Sequence, residues 1–246
     1  MKQSRFPGML FCAAIVFFLT SCGGDGSKET TTDSTTVSND SSAVTPEVVN
    51  TIITTPQSMM AVRHKVSNFA KWKPSYDEHD SMRLANGIHS YVIGRGIQDS
   101  NMVFVAVKVD DMAKAKAFAK DPSLKKAMQK GGVTGAPSIS FINTVWQDTA
   151  QISSPIRSRT TFTVKDWDAW RKSFEDGKQE RIDNGITVRA LGHDPDNNKK
   201  VFLVTAIMDT AKANAYWKSD ALKKRRAAGG VISEPERFIF RVVQRY

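Results

Sequence analysis

Five side chains between positions 64 and 83 could provide proton transfer, aromatic stacking and anion binding. Trp72, Tyr76, His79 and Arg83 are separated by three or four residues, which is the spacing of one helical stripe. His64 precedes them in an apolar alternation typical of a strand. An imidazole can act as a general base near neutral pH, and aromatic rings can stack on a ligand. An arginine on an apolar stripe needs an acceptor.

Each of these residues also has a structural interpretation, and the sequence leaves both open. The two aromatic residues can belong to the core, His64 can be a satisfied core histidine, and His79 can be solvated. Arg83 can pair with an acidic residue of its own helix, such as Asp80, or it can bind an anion.

The same stretch returns at an offset of 98 positions, which places Trp72 on Trp170 and Arg83 on Arg181. The match runs without a gap over about eighty residues, which is the size of a small domain. The candidate residues that change at this offset are, with their counterparts, His64 (Phe162), Tyr76 (Phe174) and His79 (Gly177). We therefore expect any ligand to bind in the first copy, and the second copy to be mostly packing.

Each copy has the pattern of a β-α-β-β-α-β unit. The elements predicted in the first copy are a strand at Met60–Val66, a helix at Ser67–Ala85, a hairpin of Gly87–Arg95 and Met102–Val109, a second helix from Asp111 that restarts at Asp121, and a strand at Pro137–Val145. This order is the ferredoxin-like plan, whose sheet has helices on one face only. Two such sheets can bury their bare faces against each other. We predict an α+β fold of two tandem ferredoxin-like (βαββαβ) repeats, residues 58–150 and 151–246, forming a single-chain pseudodimeric α/β barrel.

The pattern V-x-[DN]-[FW]-x-x-W-x-x-x-[FY]-[DE], followed by R-x-x-N-G-I and L-K-K, occurs in both copies. It resembles the dimeric α/β-barrel superfamily, and more narrowly its antibiotic-biosynthesis-monooxygenase-like domains, most of which are homodimers of one unit. The resemblance implies that a ligand lodges between the sheet and the helices. This makes His64, Trp72, Tyr76, His79 and Arg83 the candidate ligand-binding set, with His64 as the candidate catalytic base.

The superfamily includes cofactor-free monooxygenases of aromatic polyketides, haem-degrading proteins and members without a known activity. The Asn, Trp and His set of the haem-degrading members does not map onto this sequence. The resemblance thus leaves two functions open. One is a module that is purely structural or binds a small aromatic or anionic ligand. The other is a cofactor-independent monooxygenase acting on an aromatic substrate. No cofactor and no metal are predicted, since phosphate-binding glycine loops and zinc-protease motifs are missing from the sequence.

The N-terminus has the pattern of an export signal. Lys2 and Arg5 precede an apolar run that is too short to span a bilayer, at roughly 20 residues per crossing. The run ends in Leu-Thr-Ser-Cys22, which resembles the bacterial lipobox. The resemblance implies that residues 1–21 are a signal peptide and that Cys22 carries lipid. Gly23 in place of aspartate favours the outer membrane, with the domain facing the periplasm.

Composition limits the remaining possibilities. Residues 22–57 are predicted to be a disordered tether, because eleven of the twenty residues from Ser27 to Pro46 are Ser or Thr. The only cysteines are Cys12 and Cys22, so the folded part has no thiol for a disulfide or a cysteine-ligated zinc. The formal net charge of +10 could attract nucleic acid, but an exported location argues against that partner. The bilayer and a small ligand are the predicted partners of a monomeric chain.

Overall fold

The structure is a computed structural model, and it describes residues 50–246. The predicted signal peptide, Cys22 and most of the predicted tether lie outside the described residues. The strands within this part are β1 (Ile52–Ile53), β2 (Gln57–Val66), β3 (Ile88–Gly96), β4 (Met102–Val109), β5 (Val133–Asp148), β6 (Ile156–Thr163), β7 (Ile186–His193), β8 (Lys200–Ile207) and β9 (Glu236–Arg245). The helices are α1 (Phe69–Glu78), α2 (Asp80–Ala85), α3 (Met112–Phe118), α4 (Pro122–Lys130), α5 (Trp167–Asp176), α6 (Lys178–Asp183), α7 (Thr210–Lys218) and α8 (Asp220–Ala228). None of these helices has the length and apolar composition needed to cross a membrane.

The strands form one large antiparallel sheet in the order β1-β5-β2-β4-β3-β9-β6-β8-β7. Strand β5 also pairs with β7, so the eight strands from β2 to β9 form a closed ring. The order β5-β2-β4-β3 in the first half of the chain returns as β9-β6-β8-β7 in the second. The halves meet at two seams, β3 with β9 and β5 with β7. The architecture is therefore a mixed α+β fold built on an antiparallel sheet.

The single helix predicted at Ser67–Ala85 is two helices, α1 and α2, with a break at His79 (φ −94°, ψ 17°). The break has a local cause, because the guanidinium of Arg83 reaches back and donates to the carbonyl oxygen of Tyr76, 2.7 Å away. Arg181 does the same to Phe174 in the second half, at 2.6 Å. An arginine at this position thus holds the end of the preceding helix in both halves.

Other predicted helix signals are confirmed. Asn68 accepts a hydrogen bond from the backbone N–H of Lys71 at 3.1 Å, as an N-cap does. Gly87 has a φ of +66°, and its counterpart Gly185 has a φ of +68°. This left-handed conformation ends α2 and α6 at little steric cost, because glycine has no Cβ.

The ordered part of the chain begins earlier than residue 58. Ile52 pairs with Asp148 and Ile53 with Gln147, so β1 lies inside the segment predicted to be a tether. The reason is that β5 extends to Asp148, beyond the predicted end at Val145, and offers backbone groups that a preceding β-branched pair can use.

The interior of the ring is only partly apolar. Ala61, Phe104 and Phe240 pack together there, but Arg157 and Arg189 are also buried. Arg189 forms an ion pair with Asp148 at 2.6 Å, and Arg157 donates to the carbonyl oxygen of Ser154 at 2.6 Å. The interior of the ring therefore contains hydrogen-bonded arginines as well as hydrophobic side chains.

Candidate functional site

A cavity of about 90 Å³ lies between the sheet and the helices of the first half, and we call it the first cleft. Strands β2, β4 and β5 supply its floor, and the helices from α1 to α4 cover it. All five predicted residues line this cleft: His64, Trp72, Tyr76, His79 and Arg83.

The aromatic wall of the first cleft follows directly from the helical spacing. The ring centroids of Trp72 and Tyr76 are 5.1 Å apart on α1, and His64 lies 5.4 Å from Trp72. His64 reaches this layer because side chains alternate along β2, which directs Val62 and His64 towards the helices. The cleft thus presents two aromatic rings and one imidazole to its contents.

His64 is the least satisfied polar group in the first cleft. Its side chain is 4% exposed, and neither ring nitrogen has a hydrogen-bond partner among residues 50–246. Burial lowers the pKa of His64 from 6.5 to about 4, because the charged imidazolium loses its hydration. The side chain is therefore neutral at pH 7, with one nitrogen free to donate and the other free to accept.

Tyr76 is held by a polar partner on each side. Its hydroxyl lies 2.8 Å from Oγ of Ser90, and the guanidinium carbon of Arg83 lies 3.7 Å from its ring centroid. Burial raises the pKa of Tyr76, and the nearby Arg83 opposes that rise. Tyr76 is therefore a protonated, fixed part of the wall at neutral pH.

Arg83 and His79 are engaged by the protein itself. Arg83 donates to Asp80 at 2.9 Å in addition to the Tyr76 carbonyl, which favours its structural interpretation over an anion site. His79 follows the last residue of α1, and its Nδ1 lies 2.7 Å from the carbonyl oxygen of Ser75. In the second half Arg181 does not form the equivalent ion pair, because its neighbour Glu180 pairs with Arg225.

The size of the first cleft limits what it can hold. About 90 Å³ is several times the ~15 Å³ that one water needs, and it is smaller than the ~150 Å³ of a cavity that binds benzene. A single ring is therefore the upper limit for a ligand in this space. A porphyrin, with its four pyrrole rings, does not fit, so the residues of this cleft do not suit a haem. Among residues 50–246, no three His, Cys, Asp or Glu side chains are grouped as metal ligands.

The second half contains a matching cavity, also about 90 Å³, which we call the second cleft. Phe162, Trp170 and Phe174 line it as aromatic packing, in agreement with the sequence comparison. The expectation of mere packing is wrong for the rest of the lining, which includes Tyr216, Arg225, Arg226 and Arg237. These residues lie on α7, α8 and β9. The 98-position offset identifies their counterparts in the first half, but the strand register is needed to bring Arg237 next to α8.

Comparison with known proteins supports the fold. No family model matches the chain, and no curated protein matches it. Solved structures do match it. One from Fusobacterium nucleatum, named "Putative monooxygenase", has a TM-score of 0.50 and 13% identity over 76% of this chain and 93% of its own. An anthrone oxidase-like protein has a TM-score of 0.52 and 14% identity over 78% of this chain and 94% of its own. A protein named "Putative Chlorite dismutase" has a TM-score of 0.52 and 13% identity over 76% of this chain and 95% of its own. These proteins have dimeric α/β-barrel folds, and this chain shares that fold.

Proposed function

We propose that this protein is a lipid-anchored envelope module that binds a small, uncharged aromatic ligand in its first cleft. We further propose that two ferredoxin-like repeats within one chain form a pseudodimeric barrel. The repeated strand order and the two seams support the second part. The first part depends on His64.

The unpartnered imidazole of His64 carries the proposal. A buried polar group without a hydrogen bond costs about 1–3 kcal/mol, and His64 has two such nitrogens in a cavity with almost no other free polar group. A ligand hydroxyl or ring N–H would satisfy one nitrogen, while Trp72 and Tyr76 contact the ring. A few polar groups among apolar walls are what a small-molecule site needs to orient its ligand.

The low pKa of His64 favours binding over proton abstraction. A phenol has a pKa of about 10, which exceeds the value of about 4 for His64 by roughly six units. Transfer of the proton would therefore cost about 8 kcal/mol at 1.36 kcal/mol per unit. A hydrogen bond from the phenol to the neutral imidazole carries no such cost. His64 is thus better suited to accept a hydrogen bond than to remove a proton.

A cofactor-independent monooxygenase remains the second candidate function. The buried neutral imidazole beside an aromatic wall favours it, because a base must lie within hydrogen-bond reach of the proton it removes. It would require a substrate whose proton is far more acidic than that of a phenol. Anthrone has three fused rings and exceeds the one-ring cavity, so we expect no oxygen uptake when it is added to the purified protein. Uptake that His64→Phe abolishes would establish the enzyme.

Binding can be tested with phenol and toluene, which are similar in size and differ in carrying a hydroxyl or a methyl group. We expect phenol to change the fluorescence of Trp72 with a dissociation constant of about 1 mM, which is about 0.6 kcal/mol per non-hydrogen atom and within the usual range. Toluene should bind about tenfold more weakly, since it leaves His64 unpaired.

The second half supplies the matched variants for this test. His64→Phe introduces the residue found at the equivalent position, Phe162. It should remove the preference for phenol over toluene, while the reverse change Phe162→His should leave that preference in place. An unchanged preference in His64→Phe would contradict the proposed site.

The envelope part of the proposal depends on Cys22, which lies outside the described residues. The lipobox-like sequence supports acylation there and attachment to the outer membrane on the periplasmic side. The expected partners are then the bilayer and a small ligand, and not nucleic acid. Cys22→Ser should move the protein from the membrane fraction to the soluble or unprocessed fraction. Unchanged fractionation of this variant would refute the anchor.

A further inference from the structure

The second cleft has a cationic lining that the first cleft lacks. Arg181, Arg225, Arg226 and Arg237 surround it, and none of its lining residues is a carboxylate. Its remaining walls are apolar or hydroxylic, with Tyr216 and Trp217 from α7 closing one side. The cavity therefore combines several positive charges with aromatic surface.

Two of the four arginines are already engaged. Arg225 donates through Nε to Glu180 at 2.7 Å, and Arg181 donates to the carbonyl oxygen of Phe174 at 2.6 Å. Arg226 and Arg237 have neither a hydrogen bond from the side chain nor an ion pair within residues 50–246. Glu234 favours the charged form of Arg226 from beyond ion-pair distance. Arg237 stacks over Trp217, with its guanidinium carbon 4.1 Å from the ring centroid.

Arg226 and Arg237 are half-buried and lie close to each other, and Tyr216 beside Arg226 is buried. Burial and, as a smaller effect, the charge of Arg226 together lower the pKa of Arg237 to about 10. The hydroxyl of Tyr216 is also buried without a hydrogen-bond partner in the part of the chain that the structure describes, and that side chain is 6% exposed. Leaving two like charges and a hydroxyl unpaired in a cleft is unfavourable, and an anion would relieve all three.

We infer that the second cleft binds a small organic carboxylate with one aromatic or apolar ring, held by Arg226, Arg237 and the hydroxyl of Tyr216. A carboxylate matches the fork of donors on a guanidinium. Phe162 and Trp170 supply apolar walls for the ring. Inorganic anions lack a group that would use those walls, which favours an organic ligand.

The first cleft provides an internal comparison. At the 98-position offset, Tyr216, Arg226 and Arg237 correspond to Phe118, Met128 and Ile139, and all three of these line the first cleft. The register agrees, because Thr160 pairs with Arg237 as Val62 pairs with Ile139. The two cavities therefore share their position in the fold and differ in chemistry. A carboxylate in the second cleft does not require a ligand in the first cleft.

The test uses the full-length protein and 4-fluorobenzoate, followed by ¹⁹F NMR, with 4-fluorotoluene as the neutral analogue. We expect 4-fluorobenzoate to bind and salt to weaken the binding. Arg226→Met and Arg237→Ile, which copy the first cleft, should each weaken binding by about tenfold or more, since hydrogen bonds to charged groups are the stronger ones. Tyr216→Phe removes one donor hydroxyl and should weaken binding by about tenfold, since its hydrogen bond is donated to a charged carboxylate.

Two controls separate this site from the alternatives. Lys224→Met removes one charge from an exposed position of the same helix, α8, and should leave binding unchanged. His64→Phe should also leave it unchanged, which distinguishes this site from the first cleft. Thermal unfolding of each variant checks that it folds. Failure of 4-fluorobenzoate to bind would overturn the inference, as would weakening by Lys224→Met equal to that by Arg226→Met.

Discussion

Replacing His64 with phenylalanine should make the stability of the protein less sensitive to acid. The folded pKa of His64 is about 4 and its ordinary value is 6.5, so the folded state binds fewer protons than the unfolded state between these values. Stability due to the neutral imidazole is therefore complete above pH 6.5 and is lost as the pH falls towards 4. The difference of 2.5 units corresponds to about 3 kcal/mol at 1.36 kcal/mol per unit. His64→Phe has no such group and should not lose this amount.

The magnitude at neutral pH is expected to be small. Phe162 already packs against Trp170 at the equivalent position, with ring centroids 5.2 Å apart, so His64→Phe should change the free energy of unfolding by less than about 1.5 kcal/mol at pH 7. As the pH falls from 7 to 4, the free energy of unfolding of the variant should rise by about 3 kcal/mol relative to that of the wild type. This corresponds to roughly 10 °C in melting temperature for a domain of this size.

Urea unfolding at several pH values measures this difference, and acid effects common to both proteins cancel. His89→Thr is the matched control, because it replaces an exposed histidine with its counterpart residue in the second half. A gap between wild type and His64→Phe that does not change from pH 7 to pH 4 would refute the buried neutral imidazole.

Three further predictions concern the framework. Arg83→Met should destabilise the protein by about 2–3 kcal/mol in urea unfolding, because it removes the charged hydrogen bonds to the Tyr76 carbonyl and to Asp80; a loss below about 0.5 kcal/mol would contradict the role of Arg83 at the helix break. Gly192→Ala should lower the free energy of unfolding by about 1–3 kcal/mol, since the new Cβ would lie 2.4 Å from the backbone oxygen of Asn143 at the β5–β7 seam. Gly135→Ala is the control for backbone strain, because there the Cβ meets open space but φ is +76°. The chain should sediment as a monomer, and an obligate dimer would count against the pseudodimeric barrel.

Most of the framework could be predicted from sequence because its signals are local. The N-cap at Asn68 and the glycine stop at Gly87 depend on a few neighbouring residues. The break at His79 depends on where a guanidinium reaches seven residues away, and a helical pattern does not encode that contact. The pairing of Ile52 with Asp148 likewise depends on how far β5 continues, which is a property of the assembled sheet.

The candidate site was predictable to the same extent. The five predicted residues lie on one strand, two consecutive helices and the break between them, so their periodicity was sufficient to group them. The cationic lining of the second cleft is spread over α7, α8 and β9. The lysines and arginines of α8 have the composition of a solvated helix face, and the strand register is needed to show that Arg237 meets them.

The proposed single-chain barrel has a consequence that a symmetric dimer would lack. A homodimer of one unit carries the same side chains in both clefts, because an isologous assembly repeats every residue. In one chain the two positions can change separately. Gly94 and Gly192, which lie in β3 and β7 at the two seams, are the same residue, and both would place a Cβ too close to the opposite strand. The cleft positions carry no such shared constraint, so Met128 in one and Arg226 in the other can suit different ligands. The steric requirement for glycine at the seams, and the lack of such a requirement in the clefts, explain why the two halves match well in their framework and poorly in their cavities.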